Sequence, residues 1–277
     1  MIFTVNKLKD AIYGLAVGDA LGVPFEFKER GTFHCSDMVG NGTHKQPIGT
    51  WSDDTSMSLA TCDSIKNTKC VDCDDIRKRF EKWLFNEQYT PFGKVFDCGF
   101  TCSEAIYNKK GFDDIKSNGN GSLMRILPLA FIPNISDNEI KSVSAITHAH
   151  NISKEACVIY IRIAQGLIKE VELFKLIKEV IKNDSIFNRL IFIESIPENY
   201  IKSTGYVVDT LEAAIWSLVH TDNYKDCVLK AVNLGGDTDT IAAVAGGLAG
   251  IMYGYNNIPK KWINNLQAKN IIDDYLF

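Results

Sequence analysis

Two short stretches of the sequence place paired aspartates beside hydroxyl side chains. Asp53 and Asp54 lie in Trp-Ser-Asp-Asp-Thr, and Asp237 and Asp239 lie in Gly-Asp-Thr-Asp-Thr. A lone aspartate at a helix start is explained by capping of free N–H groups and by the helix macrodipole. The same pairing of carboxylates and hydroxyls at two separate helix starts indicates a second role beside capping.

Carboxylate and hydroxyl oxygens without His or Cys are hard ligands, which suit Mg²⁺, Mn²⁺ or Ca²⁺ better than zinc. Glu26, in GVPFEF, is a further acid near a predicted helix end. If these five acids meet, they repel one another unless cations offset their charge. Residue types alone do not bring the segments together, so helix capping and a dinuclear oxygen-ligand site both stay open here.

The segments around these motifs have the apolar periodicity of α-helices. Helical patterns begin near Leu8, Ile76 and Val207, and others cover 137–147, 154–170, 171–182 and 224–233. The two aspartate motifs open helices at about 54–66 and 239–254. Sustained period-two alternation does not occur, so strands are at most minor. The pattern predicts one all-α domain, 1–277, with a buried helical core.

The last of these predicted helices carries small residues on one face. Ala242, Ala245, Gly246, Ala249 and Gly250 lie three or four residues apart. Glycine inside a helix costs about 1 kcal/mol relative to alanine, so close approach of another helix is the expected compensation. The sequence therefore predicts a central helix in this position.

Composition excludes several classes of protein. The 277 residues carry a net charge of −4 and no long basic block, so no nucleic-acid partner is expected. The longest apolar stretch, IAAVAGGLAGIMYGY, has 15 residues and is too short and glycine-rich for a membrane span. The first residues lack the pattern of a signal peptide. We expect a cytoplasmic protein with no membrane partner.

The eight cysteines admit more than one interpretation. Cys70 and Cys73 have C-x-x-C spacing, and Cys98 and Cys102 form a possible second pair. No histidine lies close to either pair, and a structural zinc site needs two tight pairs in knuckle-like turns. Reduced, mostly buried thiols are favoured over zinc or a disulfide framework.

Six motifs that together span most of the chain occur in a fixed order. They are GLAVGDALGVPFEF, GTWSDDTSMSLA, FDCGFTCSEAI, GNGSLMRILPLA, STGYVVDTLEAAIWSL and AVNLGGDTDTIAAVAGGLAGIMYG. These motifs, in this order, resemble those of the ADP-ribosylglycohydrolase family. The resemblance implies an all-α fold with two Mg²⁺ or Mn²⁺ ions at the mouth of a cleft. Carried over by motif, the implied metal ligands are Glu26, Ser52, Asp53, Asp54, Asp237, Asp239 and Thr240.

The resemblance also implies residues that touch the substrate. Asp97 matches an aspartate beside the ribose, the run Gly119, Asn120, Gly121 and Ser122 matches a diphosphate loop, and His148 and Tyr206 match residues near the ligand. Glycine lets a backbone approach phosphate closely, which fits the loop assignment. The simpler alternatives are a helix cap, a turn, a surface histidine and a core tyrosine. The chain departs from the family's FDIGNTT-like stretch at Cys98 and Phe100, which puts the shape of the distal ribose pocket in question.

The implied reaction is metal-dependent hydrolysis of a glycosidic bond, which releases ADP-ribose from an ADP-ribosylated protein or small molecule. Its transition state resembles an oxocarbenium ion. Asp53 and Asp54 are the candidates for proton relay, and Asp97 would position the ribose. ADP-ribosyl-arginine is the favoured substrate. The alternatives are a serine-linked or small-molecule ADP-ribose substrate, another nucleotide or guanidino compound, and a non-catalytic binding or structural relative.

Overall fold

The computed structural model describes residues 2–181 and 185–277. The α-helices of this part are α1 Ile2–Gly22, α2 Asp53–Thr68, α3 Cys73–Asn86, α4 Phe100–Asn108, α5 Asp137–Ser144, α6 Asn151–Ile168, α7 Leu173–Val180, α8 Val207–Val219, α9 Tyr224–Asn233, α10 Thr238–Tyr253, α11 Lys260–Asn265 and α12 Lys269–Tyr275. Short 3₁₀ helices connect some of them, among them Val23–Phe25 and Asn120–Ser122. Across the same residues, strands are absent and only isolated β-bridges form. The prediction of an all-α fold is confirmed.

Local capping accounts for the observed starts of several helices. The helix predicted from 154 begins at Asn151, because the His150 side chain accepts a hydrogen bond from the Ile152 amide. The helix predicted for 137–147 begins after a capping box formed by Ser136 and Glu139 and ends at Ser144. The helix predicted for 171–182 is α7, and residue 182 itself lies outside the described residues.

Helices α1 and α10 form the centre of the molecule and touch along glycine-rich faces. A Cβ atom added at Gly14 would lie 2.3 Å from the Gly246 carbonyl oxygen, and one at Gly250 would lie 2.2 Å from the Asp10 carbonyl oxygen. A side chain at either position would collide with backbone. The small-residue face of α10 therefore packs against α1, as the sequence predicts.

The cysteines do not form a framework. All eight are free thiols, and Cys35, Cys62, Cys102, Cys157 and Cys227 are buried. None of the helices in the described part of the chain has the length and apolarity that a bilayer span requires.

Candidate metal and substrate site

The two aspartate motifs and Glu26 meet at one end of the α1–α10 pair. Asp53 and Asp54 form the first turn of α2, Asp239 lies in the first turn of α10, and Glu26 follows the short helix after α1. The junction is tight, since a Cβ atom at Gly22 would lie 2.3 Å from the Asp239 Cα. Packing of the central helices thus brings together acids that are far apart in the sequence.

Asp19, near the end of α1, holds the start of α2 in place. Its two carboxylate oxygens accept hydrogen bonds from the Ser52 amide at 2.9 and 3.0 Å, and Oδ2 also accepts from the Thr55 amide at 3.1 Å and the Thr55 hydroxyl at 2.6 Å. The residue is completely buried. Sequence reasoning missed Asp19, although one charge inside the apolar run GLAVGDALG was a usable signal.

Two hydroxyl groups donate hydrogen bonds to the Asp54 carboxylate. The Ser52 hydroxyl donates to Asp54 Oδ2 at 3.0 Å, and the Thr240 hydroxyl of α10 donates to the same oxygen at 3.4 Å. All three residues are buried. Thr240 thus contacts a carboxylate of the other aspartate motif, whereas Ser52 contacts a carboxylate of its own motif.

Two groups of carboxylates lie close enough to share ions. Oxygens of Asp19, Asp54 and Asp239 lie within 4.8 Å of one another, and so do oxygens of Glu26, Asp237 and Asp239. Asp239 belongs to both groups.

Three buried oxygens in these groups, Asp54 Oδ1, Asp237 Oδ1 and Asp239 Oδ2, have no hydrogen-bond partner among the described residues. Buried polar atoms normally find a partner. An all-oxygen set with such unpaired atoms fits hard divalent cations such as Mg²⁺ or Mn²⁺.

The raised pKa values of the acids also fit a cation site. Burial raises the pKa of Glu26 to about 7 and that of Asp19 to about 6. The pKa values of Asp53, Asp54 and Asp239 lie well above the usual range, through burial first and through neighbouring carboxylates second. Each shift means that negative charge is unfavourable here until positive charge arrives.

His44 joins this acidic group and was not predicted from the sequence. Its Nε2 makes a short hydrogen bond with Glu26 Oε2 and lies 4.0 Å from Asp97 Oδ2. The hydrogen bond to Glu26 raises the pKa of His44. Its ring lies near the rings of Phe27 and Phe96, with centroids 6.1 and 5.4 Å away. An isolated histidine in a loop carries no periodic signal, so only the fold reveals this contact.

A cavity of about 290 Å³ opens beside the acids. It is lined by Glu26, Phe27, Asp53, Asp97, Gly99, Phe100, Thr101, Cys102, Gly119, Asn120, Gly121, Met124, His148, Gly205, Asp237 and Thr240. No lysine or arginine occurs in this lining, which contains four carboxylates. Two lining residues, Phe27 and Asp97, have left-handed backbone angles, with φ of 63° and 51°.

The predicted diphosphate loop forms one wall of this cavity. The Asn120 amide nitrogen Nδ2 donates to Asp237 Oδ2 at 2.8 Å, and the Asn120 backbone N–H donates to the Gly205 carbonyl at 3.0 Å. A Cβ atom at Gly121 would lie 2.4 Å from Cys102 Sγ and 2.9 Å from His148 Cε1. A side chain at Gly121 would therefore displace Cys102 or His148, and the loop is tied to the acidic group through Asn120.

The remaining predicted residues take different positions. His148 lines the cavity and is buried, with Nδ1 2.9 Å from the Thr147 hydroxyl, and burial lowers its pKa to about 3. The Ser122 side chain points into the core, where it accepts a hydrogen bond from Ser144 at 3.0 Å. Tyr206 pairs with Gly119 through its backbone, but it is not among the lining residues of the cavity. Any contact of Ser122 with substrate would thus involve its backbone.

The fold and site define an all-α protein with a carboxylate-rich cavity suited to divalent cations and a polar ligand. The chain belongs to the ADP-ribosylglycohydrolase family, whose model matches residues 3–276. It is 34% identical to ADP-ribosylarginine hydrolase Tri1 of Serratia proteamaculans, over 98% of this chain and 78% of that protein. It is 34% identical to the ADP-ribosyl-[dinitrogen reductase] glycohydrolase of Rhodospirillum rubrum, over 95% of this chain and 91% of that protein.

A solved structure supports the same assignment. The chain resembles one described as an ADP-ribosylglycohydrolase-related protein complex, with a TM-score of 0.84 and 28% identity, over 99% of this chain and 97% of the other. The family and the names of the relatives support an ADP-ribosyl glycohydrolase enzyme.

Proposed function

We propose that this protein is a divalent-metal-dependent hydrolase that releases ADP-ribose from ADP-ribosylated arginine. The observation that carries this proposal is the cavity, which combines four carboxylates and two exposed phenylalanine rings with no cationic side chain in its lining. A guanidinium leaving group is planar and positive, so the aromatic faces of Phe27 and Phe100 attract it, while the carboxylates would chiefly hold the metal ions. Two similar proteins named as ADP-ribosylarginine hydrolases, from Serratia proteamaculans and Pseudomonas putida, favour the same linkage.

Seven residues are proposed to hold two Mg²⁺ or Mn²⁺ ions. They are Glu26, Ser52, Asp53, Asp54, Asp237, Asp239 and Thr240. The unpaired buried oxygens of Asp54, Asp237 and Asp239 support this assignment. Bound ions would offset the carboxylate charge and supply Lewis acidity at the ribose.

The protein's own side chains would transfer the proton and position the ribose. Asp53 lines the cavity, whereas Asp54 is completely buried between Ser52 and Thr240, so Asp53 is the better placed of the two to exchange a proton. In the proposed hydrolysis, a water oxygen bonds to the anomeric carbon, the bond from that carbon to the guanidine nitrogen breaks, and a proton passes to the leaving nitrogen. Asp97 would hold the ribose hydroxyls during this exchange.

The loop wall of the cavity would bind the rest of ADP-ribose. The loop of Gly119, Asn120 and Gly121 presents backbone to the cavity, which suits a diphosphate. His148 is neutral near pH 7 because burial lowers its pKa to about 3, so it would act there as a hydrogen-bonding group without charge. Ser122 and Tyr206 would contribute through their backbones.

The test is release of free ADP-ribose from ADP-ribosyl-arginine, followed by mass spectrometry in Mg²⁺, in Mn²⁺ and in EDTA. We expect release in at least one metal and none in EDTA. The variant Asp53→Asn should lose most turnover, while Asp222→Asn, a change at an exposed acid between α8 and α9, should keep it.

Several outcomes would overturn the proposal. Full activity in EDTA would remove the metal assignment. Hydrolysis of a serine-linked ADP-ribosyl peptide, with ADP-ribosyl-arginine left intact, would replace the arginine linkage. Binding of ADP-ribose without cleavage of either substrate would indicate a non-catalytic relative.

A further inference from the structure

Helix α4 carries an aromatic stripe on its solvent face, composed of Phe100 and Tyr107 and extended by Phe85 of α3. The exposed fractions of Phe100, Tyr107 and Phe85 are 79%, 72% and 53%. Phe100 and Tyr107 are seven residues apart, about two helical turns, and therefore share one face. The opposite face of α4 is buried through Cys102, Ala105 and Ile106.

The stripe starts at the cavity and leads away from it along α4. Phe100 lines the cavity. Tyr107 lies about 10 Å further along the helix and meets Phe85 edge to face, with ring centroids 6.5 Å apart. A ligand group in the cavity and a chain segment on the stripe would thus be neighbours.

The size of the stripe argues against a permanent dimer. An aromatic side chain has roughly 150–250 Å² of surface, so the three rings at these exposures offer about 400 Å². Stable interfaces bury about 800 Å² on each partner. A small apolar surface at the mouth of a substrate cavity fits a brief encounter with a substrate that extends beyond the cavity.

We propose that the aromatic stripe binds the polypeptide that flanks the modified arginine of an ADP-ribosylated protein, through an apolar side chain of that segment. This inference rests on the proposed function. An extended segment advances about 3.3 Å per residue, so the distance from Phe100 to Tyr107 corresponds to about three residues. The partner is therefore a segment with an apolar side chain three or four residues from the modified arginine.

The test compares two synthetic peptides, each with one ADP-ribosylated arginine. One peptide has leucine three and four residues to either side of that arginine, and the other has serine there. The wild-type protein should hydrolyse the leucine peptide with a KM about tenfold lower, since truncation of a well-placed interface aromatic commonly costs about a factor of ten. The double variant Phe85→Ser/Tyr107→Ser should lose this preference and hydrolyse free ADP-ribosyl-arginine at the wild-type rate.

A matched control is Phe192→Ser, because Phe192 is 65% exposed and lies outside the stripe and the cavity lining. It should keep the leucine preference. Equal KM values for the two peptides with wild-type protein, or a preference that survives in the double variant, would overturn the inference while leaving the proposed function intact. A concentration-dependent dimer in sedimentation that the double variant abolishes would show that a second copy covers the stripe instead. Failure to hydrolyse free ADP-ribosyl-arginine would remove the proposed function, and the inference with it.

Discussion

Replacing Gly18 by alanine should separate the two central helices and disturb the acidic site. The added Cβ atom would lie 2.1 Å from the Ala242 carbonyl oxygen, whereas a relaxed carbon–oxygen contact is about 3.3 Å or longer. Neither partner can avoid the contact by a side-chain rotation, because both sides are helix backbone. Helices α1 and α10 must therefore move apart by about 1 Å.

The expected loss of stability follows from two opposed terms. Overpacking costs about 1–3 kcal/mol, with the upper end expected against rigid backbone, and alanine recovers about 1 kcal/mol of helix propensity. The net destabilisation is about 2 kcal/mol. A chain of 277 residues unfolds with an entropy of about 0.6 kcal/mol/K, so Tm should fall by about 3–4 °C.

The same movement should weaken divalent-metal binding. Gly18 precedes Asp19, and Ala242 follows Asp239 by three residues, so the displacement acts on both sides of the acidic site. Isothermal titration calorimetry with Mn²⁺ should show a lower affinity in Gly18→Ala than in the wild-type protein.

Gly166→Ala is the matched control, because its Cβ atom would also lie 2.1 Å from a neighbour. That neighbour is the buried Leu176 side chain, whose Cδ2, Cδ1 and Cγ would lie 2.1, 2.6 and 2.8 Å away. Its Tm should therefore also fall, but its Mn²⁺ affinity should not change, because the contact between α1 and α10 is left intact. The reasoning is refuted if Gly18→Ala is as stable as the wild-type protein and binds Mn²⁺ as tightly.

Three further changes test the site itself. Asp54→Asn should abolish both turnover and the thermal stabilisation by Mn²⁺. In the wild-type protein, Mn²⁺ at a hundredfold excess over Kd should stabilise the fold by about 2.7 kcal/mol, or about 5 °C in scanning calorimetry. A Tm shift retained in the variant would contradict the ligand assignment. Asn120→Ala removes the 2.8 Å hydrogen bond to Asp237 and should lower kcat/KM about 10- to 100-fold in the ADP-ribose release assay, and an unchanged value would show that Asp237 needs no such support. His148 has a folded pKa of about 3 and an ordinary unfolded pKa of about 6.5, so the unfolded state binds more protons between these values and stability falls with acidification. Between pH 7 and pH 5, His148 should lower the free energy of unfolding, measured in urea, by about 2 kcal/mol. The His148→Gln variant should therefore lose about 2 kcal/mol less stability over this range than the wild-type protein. An identical pH dependence in the two proteins would exclude the histidine as the cause.

The sequence by itself determined the helical class and, to within one residue, the starts of the two helices that carry the aspartate pairs. Periodicity of three and four residues is a local property, and so are caps and glycine-rich turns. Asp53, Asp54, Asp237 and Asp239 could be singled out because each pair stands beside hydroxyls at the start of a predicted helix. The small face of the last long helix, α10, was likewise readable, since glycine at helical spacing needs a close neighbour to offset its cost.

Only the tertiary structure decided which of these groups meet and where each side chain points. Asp19 reaches Ser52 and Thr55, and His44 reaches Glu26, through contacts between segments that no periodicity links. The same packing turned the Ser122 side chain into the core and left Phe100 exposed at the cavity. The physical reason is that sequence patterns report which face of a helix is buried, whereas a site at helix ends depends on how closely two helices approach. Here the glycines of α1 and α10 set that distance.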